Sequence, residues 1–497
     1  MTPQIDKAEL ECLKYLGNSQ TVVEAQLTAR DAETVKILAL NADANVTSSE
    51  CLAGEVLYGG KLTVKALIRD GDDNVAGLNY NVDFNNKFSN AEISPDVKLN
   101  FFPVVVDISG KVSGNVIKVQ CVVETKIYAC VKNEVDLLSS CDELMLKTDA
   151  INTAVRKCTL DKTFSVVDEV ELKEKIGKIL SADSKAVLSS VSAKGGVVTA
   201  NGNLYTCVTY LTGEKDVIRS SIVNTSFEEE FSADCDDKSV ITAFAEAKNV
   251  KIHMEISEDG DNRGFTLSCD VNVKIKCSEI VSRDIVTDAF SFTHNIEKKT
   301  TTFDNCVPQN YFMFTYKADG IIELENKNDV DEILCVTNPR VISVGSKVNG
   351  GYVSAEGILS GTLLFLNDGR VDSAEFEVPF VFDIPCVCQN CIIWDGAVCE
   401  ISAKVIRGEV NVDAKVKFGV NCQDVTSVCA VSDVVMLDEK QNCGCAIEVV
   451  TGKKGMSSWD LQKFLSAPES EILSCNEGLS FPLEKDRKIL IYRQIKN

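Results

Sequence analysis

The stretch GGKLTVKALIRDGDDNV, residues 59–75, decides the fold class. Apolar and polar residues alternate from Leu62 to Ile68, which is the two-residue period of a β-strand with one buried face. The Asp70-Gly71 pair that follows is typical of a tight turn between two antiparallel strands. This stretch therefore predicts a β-hairpin.

The same pattern occurs three times along the chain. Each copy opens with an Ile-Leu pair, a glycine follows 23 or 24 residues after the isoleucine, and a turn comes 10 or 11 residues after the glycine. The pairs are Ile37-Leu38, Ile179-Leu180 and Ile333-Leu334; the glycines are Gly60, Gly202 and Gly357; the turns are Asp70-Gly71, Thr212-Gly213 and Asp368-Gly369. Such regular spacing indicates tandem copies of one structural unit.

A second alternating run closes each copy, starting at Ile117, Phe265 and Val410. The chain is therefore expected to be mainly β, with three tandem sandwich-like or barrel-like repeats. Their expected limits are residues 1–147, 148–300 and 301–442. A short helix is expected near the start of each repeat, in DAETVKIL (31–38), ELKEKIGKIL (171–180) and NDVDEIL (328–334).

The last fifty residues have a different pattern. A short apolar run, AIEVV, comes first, and another, RKILIYRQ, closes the segment. Between them Trp459, Leu461, Phe464 and Leu465 lie at helical spacing. Pro468 is placed to begin a second short helix, because proline is tolerated in a first turn. Residues 446–497 are therefore expected to form a small α+β domain with the order strand, helix, helix, strand.

The net charge and the pattern of apolar residues limit the kinds of partner that this chain is expected to bind. The formal net charge of −23 argues against nucleic acid and anionic membranes, which need a basic protein face, and favours a basic partner surface. The first residues, MTPQIDKAELEC, lack the pattern of a signal peptide, and runs such as FFPVVV fall short of the about 20 residues of a membrane helix. We expect a cytosolic protein without membrane insertion, whose 21 cysteines begin as thiols.

Enzyme motifs are missing from the sequence. The two histidines, His253 and His294, are not near a serine or cysteine motif of a known nucleophile, and no Gly-Lys-Ser/Thr phosphate loop occurs. The Asp/Gly-rich segments 69–74 and 258–264 lack calcium-ligand spacing and are interpreted as hairpin turns. We therefore expect no enzyme activity, no catalytic residue and no cofactor.

The cysteines leave three interpretations open. Four of them are candidate metal ligands: Cys386, Cys388, Cys391 and Cys399. The second Cys-x-x-Cys pair that completes many zinc sites is missing, and the nearest substitute, Cys443 and Cys445, is a candidate for oxidative cross-linking. Because cysteine also packs as a small buried hydrophobe, plain packing is the third interpretation.

The C-terminal segment resembles a LysM domain. Trp459-Asp460-Leu461, Glu471-Ile472-Leu473, Asn476 and the closing EKDRKILIY lie where that family has its two helices and last strand. LysM domains bind N-acetylglucosamine polymers through backbone groups of the loop before the first helix, where the family has Gly-Asp-Thr-Leu-Trp. This chain has Gly-Met-Ser-Ser-Trp there, and this departure from the family makes glycan binding doubtful.

Tandem β repeats before a LysM-like domain are similar to the SPOCS-domain family of spore-forming Clostridia, which includes SipL-type coat morphogenetic proteins. The resemblance covers residues 30–497. It implies a protein of the mother-cell cytoplasm that acts at the forespore surface and in the spore coat, bound to coat proteins and, through its LysM-like end, to a coat ATPase of the SpoIVA type. The partner-binding residues that it implies are Trp459, Leu461, Ile472, Leu473 and Asn476.

Two other functions stay open. Strand-rich repeats bring sheet edges that must be covered or paired, so the chain is also a candidate for self-association into a spore-surface or extracellular fibre or shell. Retained LysM chemistry would instead indicate a peptidoglycan-binding protein.

Overall fold

The structure is a computed structural model. It describes residues 3–29, 34–214, 216–254, 262–322, 324, 330–386, 388, 390–393, 396–440 and 446–493. Within these ranges the chain forms 22 strands and two short helices, which confirms the mainly β class. Neither helix combines the length and apolar character needed to cross a membrane.

The first repeat contains six strands: β1 (Gln4–Thr28), β2 (Thr34–Leu52), β3 (Glu55–Asp70), β4 (Val75–Ser89), β5 (Lys98–Ser113) and β6 (Val116–Ser140). The second repeats this series: β7 (Met145–Glu171), β8 (Ile176–Lys194), β9 (Val197–Thr212), β10 (Ile218–Ser232), β11 (Val240–Met254) and β12 (Gly264–Phe290). The third repeat has eight strands: β13 (His294–Pro308), β14 (Phe312–Ile322), β15 (Glu332–Asn349), β16 (Tyr352–Asn367), β17 (Arg370–Ile384), β18 (Asn390–Ile393), β19 (Ala397–Ile406) and β20 (Glu409–Glu439). Two strands that are continuous in the second repeat are each divided here, into β13 and β14 and into β18 and β19.

Each repeat is a sandwich of two antiparallel sheets. One sheet of each repeat has three strands, in the orders β2-β3-β4, β8-β9-β10 and β15-β16-β17, and we call these three the head sheets. The long sheets are centred on β6, β12 and β20, and each receives strands from both ends of its repeat. Buried residues of both sheets, such as Leu62 and Val119 in the first repeat, share one core. The sheets are open, so a sandwich and not a barrel describes them in the part of the chain that the structure covers.

The expected helices at the start of the repeats are strands. Where the chain is described, the three segments contribute to β2, to β8 and to β15. In β8, Ile176 and Leu180 are buried and the strand hydrogen-bonds along β9, so sheet pairing and burial override the weak helical preference of the charged flanks. The expected limits at residues 148 and 301 fall inside β7 and β13.

The repeated Ile-Leu pair marks the centre of the molecule. Leu38, Leu180 and Leu334 pack into one apolar cluster, although each belongs to a different repeat. Around this cluster β4 contacts β8, β10 contacts β15 and β17 contacts β2, so each head sheet touches the next in cyclic order. The three repeats therefore close a ring inside a single chain.

The three repeats also meet near the C-terminal ends of the central strands β6, β12 and β20. Leu138 of β6, Val286 of β12 and Val431 of β20 share a second interrepeat cluster. A disulfide joins Cys12 of β1 to Cys306 of β13 and so links the first repeat to the third, which differs from the expectation that the cysteines are thiols. The start and the end of the repeat array are thus tied together.

The repeated glycine has a packing role. Gly60, Gly202 and Gly357 each lie opposite a phenylalanine of the neighbouring strand: Phe84, Phe227 and Phe380. A Cβ atom added at Gly60, Gly202 or Gly357 would lie 2.5, 2.2 or 2.6 Å from the Cζ atom of that ring. The ring lies over the glycine, which explains why the sequence keeps a glycine at this position in every repeat.

The C-terminal domain contains β21 (Ile447–Gly452), α1 (Ser458–Leu465), α2 (Glu469–Cys475) and β22 (Arg487–Tyr492), in the expected order. Helix α1 begins with a capping box, in which the Ser457 side chain accepts from the Asp460 N–H and the Asp460 carboxylate accepts from the Ser457 N–H. The helices cover one face of the two-stranded sheet, with Leu461, Leu465 and Ile489 in the shared core.

Candidate functional site

The C-terminal domain holds the residues for which partner binding is expected, but three of them belong to its interior. Leu461 and Ile472 are fully buried in the core between the helices and the sheet. The Asn476 side chain donates to the carbonyls of Ile472 and Leu490 and accepts from the Leu490 N–H, at 2.7 to 2.9 Å. These side chains hold the domain together, so they are not available to a partner.

Trp459 is occupied by the second repeat. Its indole Nε1 donates to the Asp288 carboxylate at 2.9 Å, and its ring meets that of Phe290 edge-to-face at 4.8 Å between centroids. Both partners lie at the end of β12. Trp459 therefore anchors the domain to the repeat array, which corrects its expected role as an external docking residue.

Charged groups reinforce this anchor. Lys463 of α1 donates to Asp288 at 2.7 Å, and Lys298 of β13 also pairs with it. Burial alone would raise the pKa of Asp288, but the hydrogen bonds from Lys298, Lys463 and Trp459 outweigh burial and hold that pKa well below its usual range. Lys440 donates to the Ser466 hydroxyl and the Ser291 carbonyl, each at 2.7 Å. The helix side of the domain is thus fixed to the array.

The opposite face of the domain is apolar and open. Ile447 and Val449 of β21 are 53% and 55% exposed, and Tyr492 of β22 is 57% exposed. Ile447 pairs with Tyr492, and Val449 pairs with Leu490, so the four side chains share one face of the sheet. We call these four residues the outer face. Leu473, the remaining expected binding residue, is partly exposed on α2.

The outer face was not predicted from the sequence, although the run KILIY indicated it. Apolar side chains alternate with charged ones in a strand that has one solvated face, whereas KILIY is apolar at every position after its lysine. A run of this kind predicts a strand covered on both sides. The domain covers only the side of Ile489 and Ile491, which leaves the other side uncovered by this chain's described residues.

The loop before α1 uses its backbone donors internally. The N–H groups of Lys454 and Ser457 donate to the carboxylates of Asp486 and Asp460, each at 2.9 Å. The Gly455 N–H donates to the Leu483 carbonyl at 2.7 Å. A glycan would have to compete with these bonds for the groups that LysM domains are expected to offer.

A cavity of about 550 Å³ lies where the three repeats meet. Its charged groups pair across the repeat boundary: Lys65 of the first repeat contacts Asp183 of the second, and Lys185 of the second donates to Asp43 of the first at 3.2 Å. Burial and then the Asp43 carboxylate raise the pKa of Asp183 to about 7. Burial would also raise the pKa of Asp43, but Lys185 and Lys65 hold it well below its usual range.

The third repeat gathers four cysteines. The Sγ atoms of Cys386, Cys388 and Cys422 all lie within 4.8 Å of one another, and Cys391 Sγ is 3.7 Å from Cys422 Sγ. Cys422 therefore takes the place expected for Cys399, whose thiol donates instead to the Ala397 carbonyl at 3.6 Å. Burial raises the pKa of the Cys386 thiol to about 11. Cys443 and Cys445 lie outside the described residues.

Cys422 was missed because its sequence context is ordinary. It stands in the alternating run of β20, where a cysteine is interpreted as a buried apolar residue. Its register partner is Cys391, 31 positions earlier, and only the pairing of β18 with β20 brings them together. The histidines do not join this cluster: His253 is exposed on β11, and the Nδ1 atom of His294 lies 2.9 Å from the Thr293 hydroxyl.

Comparison with protein-family models, with curated proteins and with solved structures finds no match for this chain.

Proposed function

We propose that this chain is a non-enzymatic structural adaptor, in which the ring of repeats is the scaffold and the outer face of the C-terminal domain binds a partner protein. The observation that carries the proposal is the contrast between the two sides of this domain. One side is anchored to the array through Trp459 and Asp288, while Ile447, Val449 and Tyr492 are more than half exposed on the other. Contiguous apolar side chains fixed in this way are typical of protein interaction surfaces.

The anchoring matters for the mechanism. A domain held by an aromatic contact, a charged hydrogen bond and two lysines presents its outer face in a fixed direction. A partner that binds there loses less orientational freedom in the complex than one bound to a flexible tail, because the surface is already ordered. The ring then brings its own acidic surface close to the partner, which favours a partner with basic groups around an apolar patch.

The resemblance of the repeat order and of the LysM-like end to the SPOCS-domain family supports a role for this adaptor in endospore coat assembly. We infer that it acts in the mother-cell cytoplasm at the forespore surface, and that its partner is a coat protein, with a coat ATPase of the SpoIVA type as the first one to test. The occupied backbone donors before α1 support a protein partner over peptidoglycan.

The test is binding of the purified full chain to that ATPase, with Val449→Lys as the variant. A lysine at the centre of an apolar interface is expected to weaken binding at least about tenfold, or about 1.4 kcal/mol. Val167→Lys is the matched control, because Val167 is a similarly exposed valine on β7 of the second repeat and 62% of it is accessible. Binding of Val167→Lys should equal that of the unmodified chain.

Three results would contradict the proposal. The first is unchanged binding by Val449→Lys, and the second is an equal loss in both variants. The third is binding of the unmodified chain to peptidoglycan and not to the ATPase, which would favour the glycan-binding alternative. Concentration-dependent assembly that Val449→Lys abolishes would reassign the outer face to self-association.

A further inference from the structure

The cysteine cluster of the third repeat has the ligand composition of a zinc centre. All four side chains are buried, and the closest sulfur pair, Cys386 and Cys422, is separated by 3.0 Å. A tetrahedral zinc ion with Zn–S bonds of about 2.3 Å requires its sulfurs to be about 3.8 Å apart. The 3.7 Å between Cys391 and Cys422 fits that value, and the sulfurs of Cys386, Cys388 and Cys422 all lie within 4.8 Å of one another. The 3.0 Å between Cys386 and Cys422 is shorter and Cys391 lies outside the group of three, so binding of the ion requires Cys386 and Cys391 to shift.

The second repeat provides an internal comparison. Cys235 and Cys277 stand where the third repeat has Cys386 and Cys422: the N–H of Cys235 donates to the carbonyl two residues earlier, as that of Cys386 does, at 2.9 and 2.8 Å. Cys277 and Cys422 both follow the alternating run in the central strand of the long sheet. In the ladder the second repeat has Ile241 on one side of Cys277 and a third thiol, Cys158, on the other. The third repeat has Cys391 at the position of Ile241, opposite Cys422, and adds Cys388 in the segment before it.

The added thiols lie where the long sheet of the third repeat is interrupted. β13 ends at Pro308 and β14 begins at Phe312, and on the other side β18 ends at Ile393 and β19 begins at Ala397. In the second repeat the corresponding outer strands, β7 and β11, are not split. Cys422 lies on β20 between the two breaks, and its carbonyl accepts from the Gln309 N–H in one of them at 2.8 Å. A metal ion bound to Cys422 would connect the segments on either side of these breaks, where fewer strand-to-strand hydrogen bonds hold the sheet together.

We propose that Cys386, Cys388, Cys391 and Cys422 bind one zinc ion as four thiolates. The thiols release four protons to solvent as the ion enters, and no oxidant or reductant takes part. Four buried sulfur ligands and no position left open are typical of a structural zinc site, so the ion would stabilise the third repeat rather than catalyse a reaction. This proposal does not depend on the adaptor function.

The test is the zinc content of the full chain after purification with reductant and without chelator. We expect one zinc ion per chain, replaceable by Co²⁺ with the absorption of a cobalt–thiolate complex. Cys422→Ala should retain less than about a tenth of an equivalent. Cys277→Ala is the matched control, because it removes an equally buried thiol from the same position of the second repeat and should keep the full equivalent.

A second variant covers the case in which Cys422→Ala does not fold. Cys388→Ala changes a residue outside the regular strands, and it should lose zinc and the cobalt signal while the circular dichroism of the sheets persists. Zinc-free protein in which all four thiols can be alkylated after unfolding, and which takes up neither zinc nor Co²⁺ when reduced, would overturn the proposal. So would disulfides among these four cysteines in protein purified with reductant.

Discussion

Asp288 is the residue on which the attachment of the C-terminal domain depends. It accepts hydrogen bonds from Trp459 and Lys463 of that domain and pairs with Lys298 of β13, beside the ring of Phe290. The sequence correctly placed Trp459 in a helix, because helical spacing is local. It did not indicate what covers the indole, since Asp288 is 171 positions away.

Replacing Trp459 with phenylalanine separates the hydrogen bond from the ring contact. Trp459→Phe keeps an aromatic ring near Phe290 but leaves Asp288 without the indole donor, and a hydrogen bond to a charged group contributes about 1.5–3 kcal/mol. We expect faster hydrogen exchange in β21 and β22 and intact exchange protection in the repeats. Phe464→Leu is the control, because Phe464 is an exposed aromatic residue of the same helix. Equal exchange in both variants would argue against the anchor.

At the scale of single elements, the strands were predictable and their ends were not. Alternation identified the hairpins because a half-buried strand imposes a two-residue period on its own sequence. The segment ELKEKIGKIL looked helical because charged residues flank its apolar ones, and the burial of Ile176 comes from a sheet and a core built by residues farther along the chain. The role of Gly202 was likewise hidden, since the facing ring of Phe227 lies on the next strand.

The glycine and phenylalanine pairs predict a sharp steric effect. Gly202→Ala places a methyl group 2.2 Å from Cζ of Phe227, so the ring must move, and overpacking of this kind costs about 1–3 kcal/mol. Urea unfolding should show this loss of stability, and Phe227→Leu in the same chain should recover part of it. Gly345→Ala, with open space around the new methyl group on β15, should have little effect. Equal effects at the two glycines would refute the packing role.

At the scale of the whole molecule, the ring is the feature that the sequence did not predict. The spacing of the Ile-Leu pairs indicated three equivalent units, but equivalence does not say which faces meet. Leu38, Leu180 and Leu334 owe their place to contacts between repeats, so their common role becomes visible only when the three head sheets are assembled. The set of candidate metal ligands was incomplete for the same reason, since Cys422 reaches the other cysteines through strand pairing.

The charged contacts between repeats predict how stability depends on pH. Asp183 has a folded pKa of about 7, above that of an unfolded aspartate, about 3.9. Between these values the folded chain holds a proton that the unfolded chain lacks, so this group's contribution to stability falls as pH rises from about 4 to 7. Asp183→Asn removes the titration. Its free energy of unfolding relative to the unmodified chain should therefore rise through this window, by up to about 1.4 kcal/mol per pH unit, and level off above it.

The control for this measurement is Asp372→Asn. Asp372 also joins two repeats, through Lys36, but its pKa is lowered: burial would raise it, and the hydrogen bond from Lys36 outweighs burial. An aspartate with a lowered pKa is ionised in both states over the same window, so the relative stability of Asp372→Asn should be flat. A flat profile for Asp183→Asn as well would show that Asp183 does not hold its proton in the ring.

The most direct measurement for the adaptor function is hydroxyl-radical footprinting of the full chain, alone and bound to the coat ATPase. Tyr492, Ile447 and Val449 should be oxidised in the free chain and protected in the complex, because they form the outer face. Tyr80 and Tyr352, which are exposed on the repeats, should be oxidised equally in both states. Protection of Tyr80 or Tyr352 with continued oxidation of Tyr492 would contradict the proposal and place the partner on the ring.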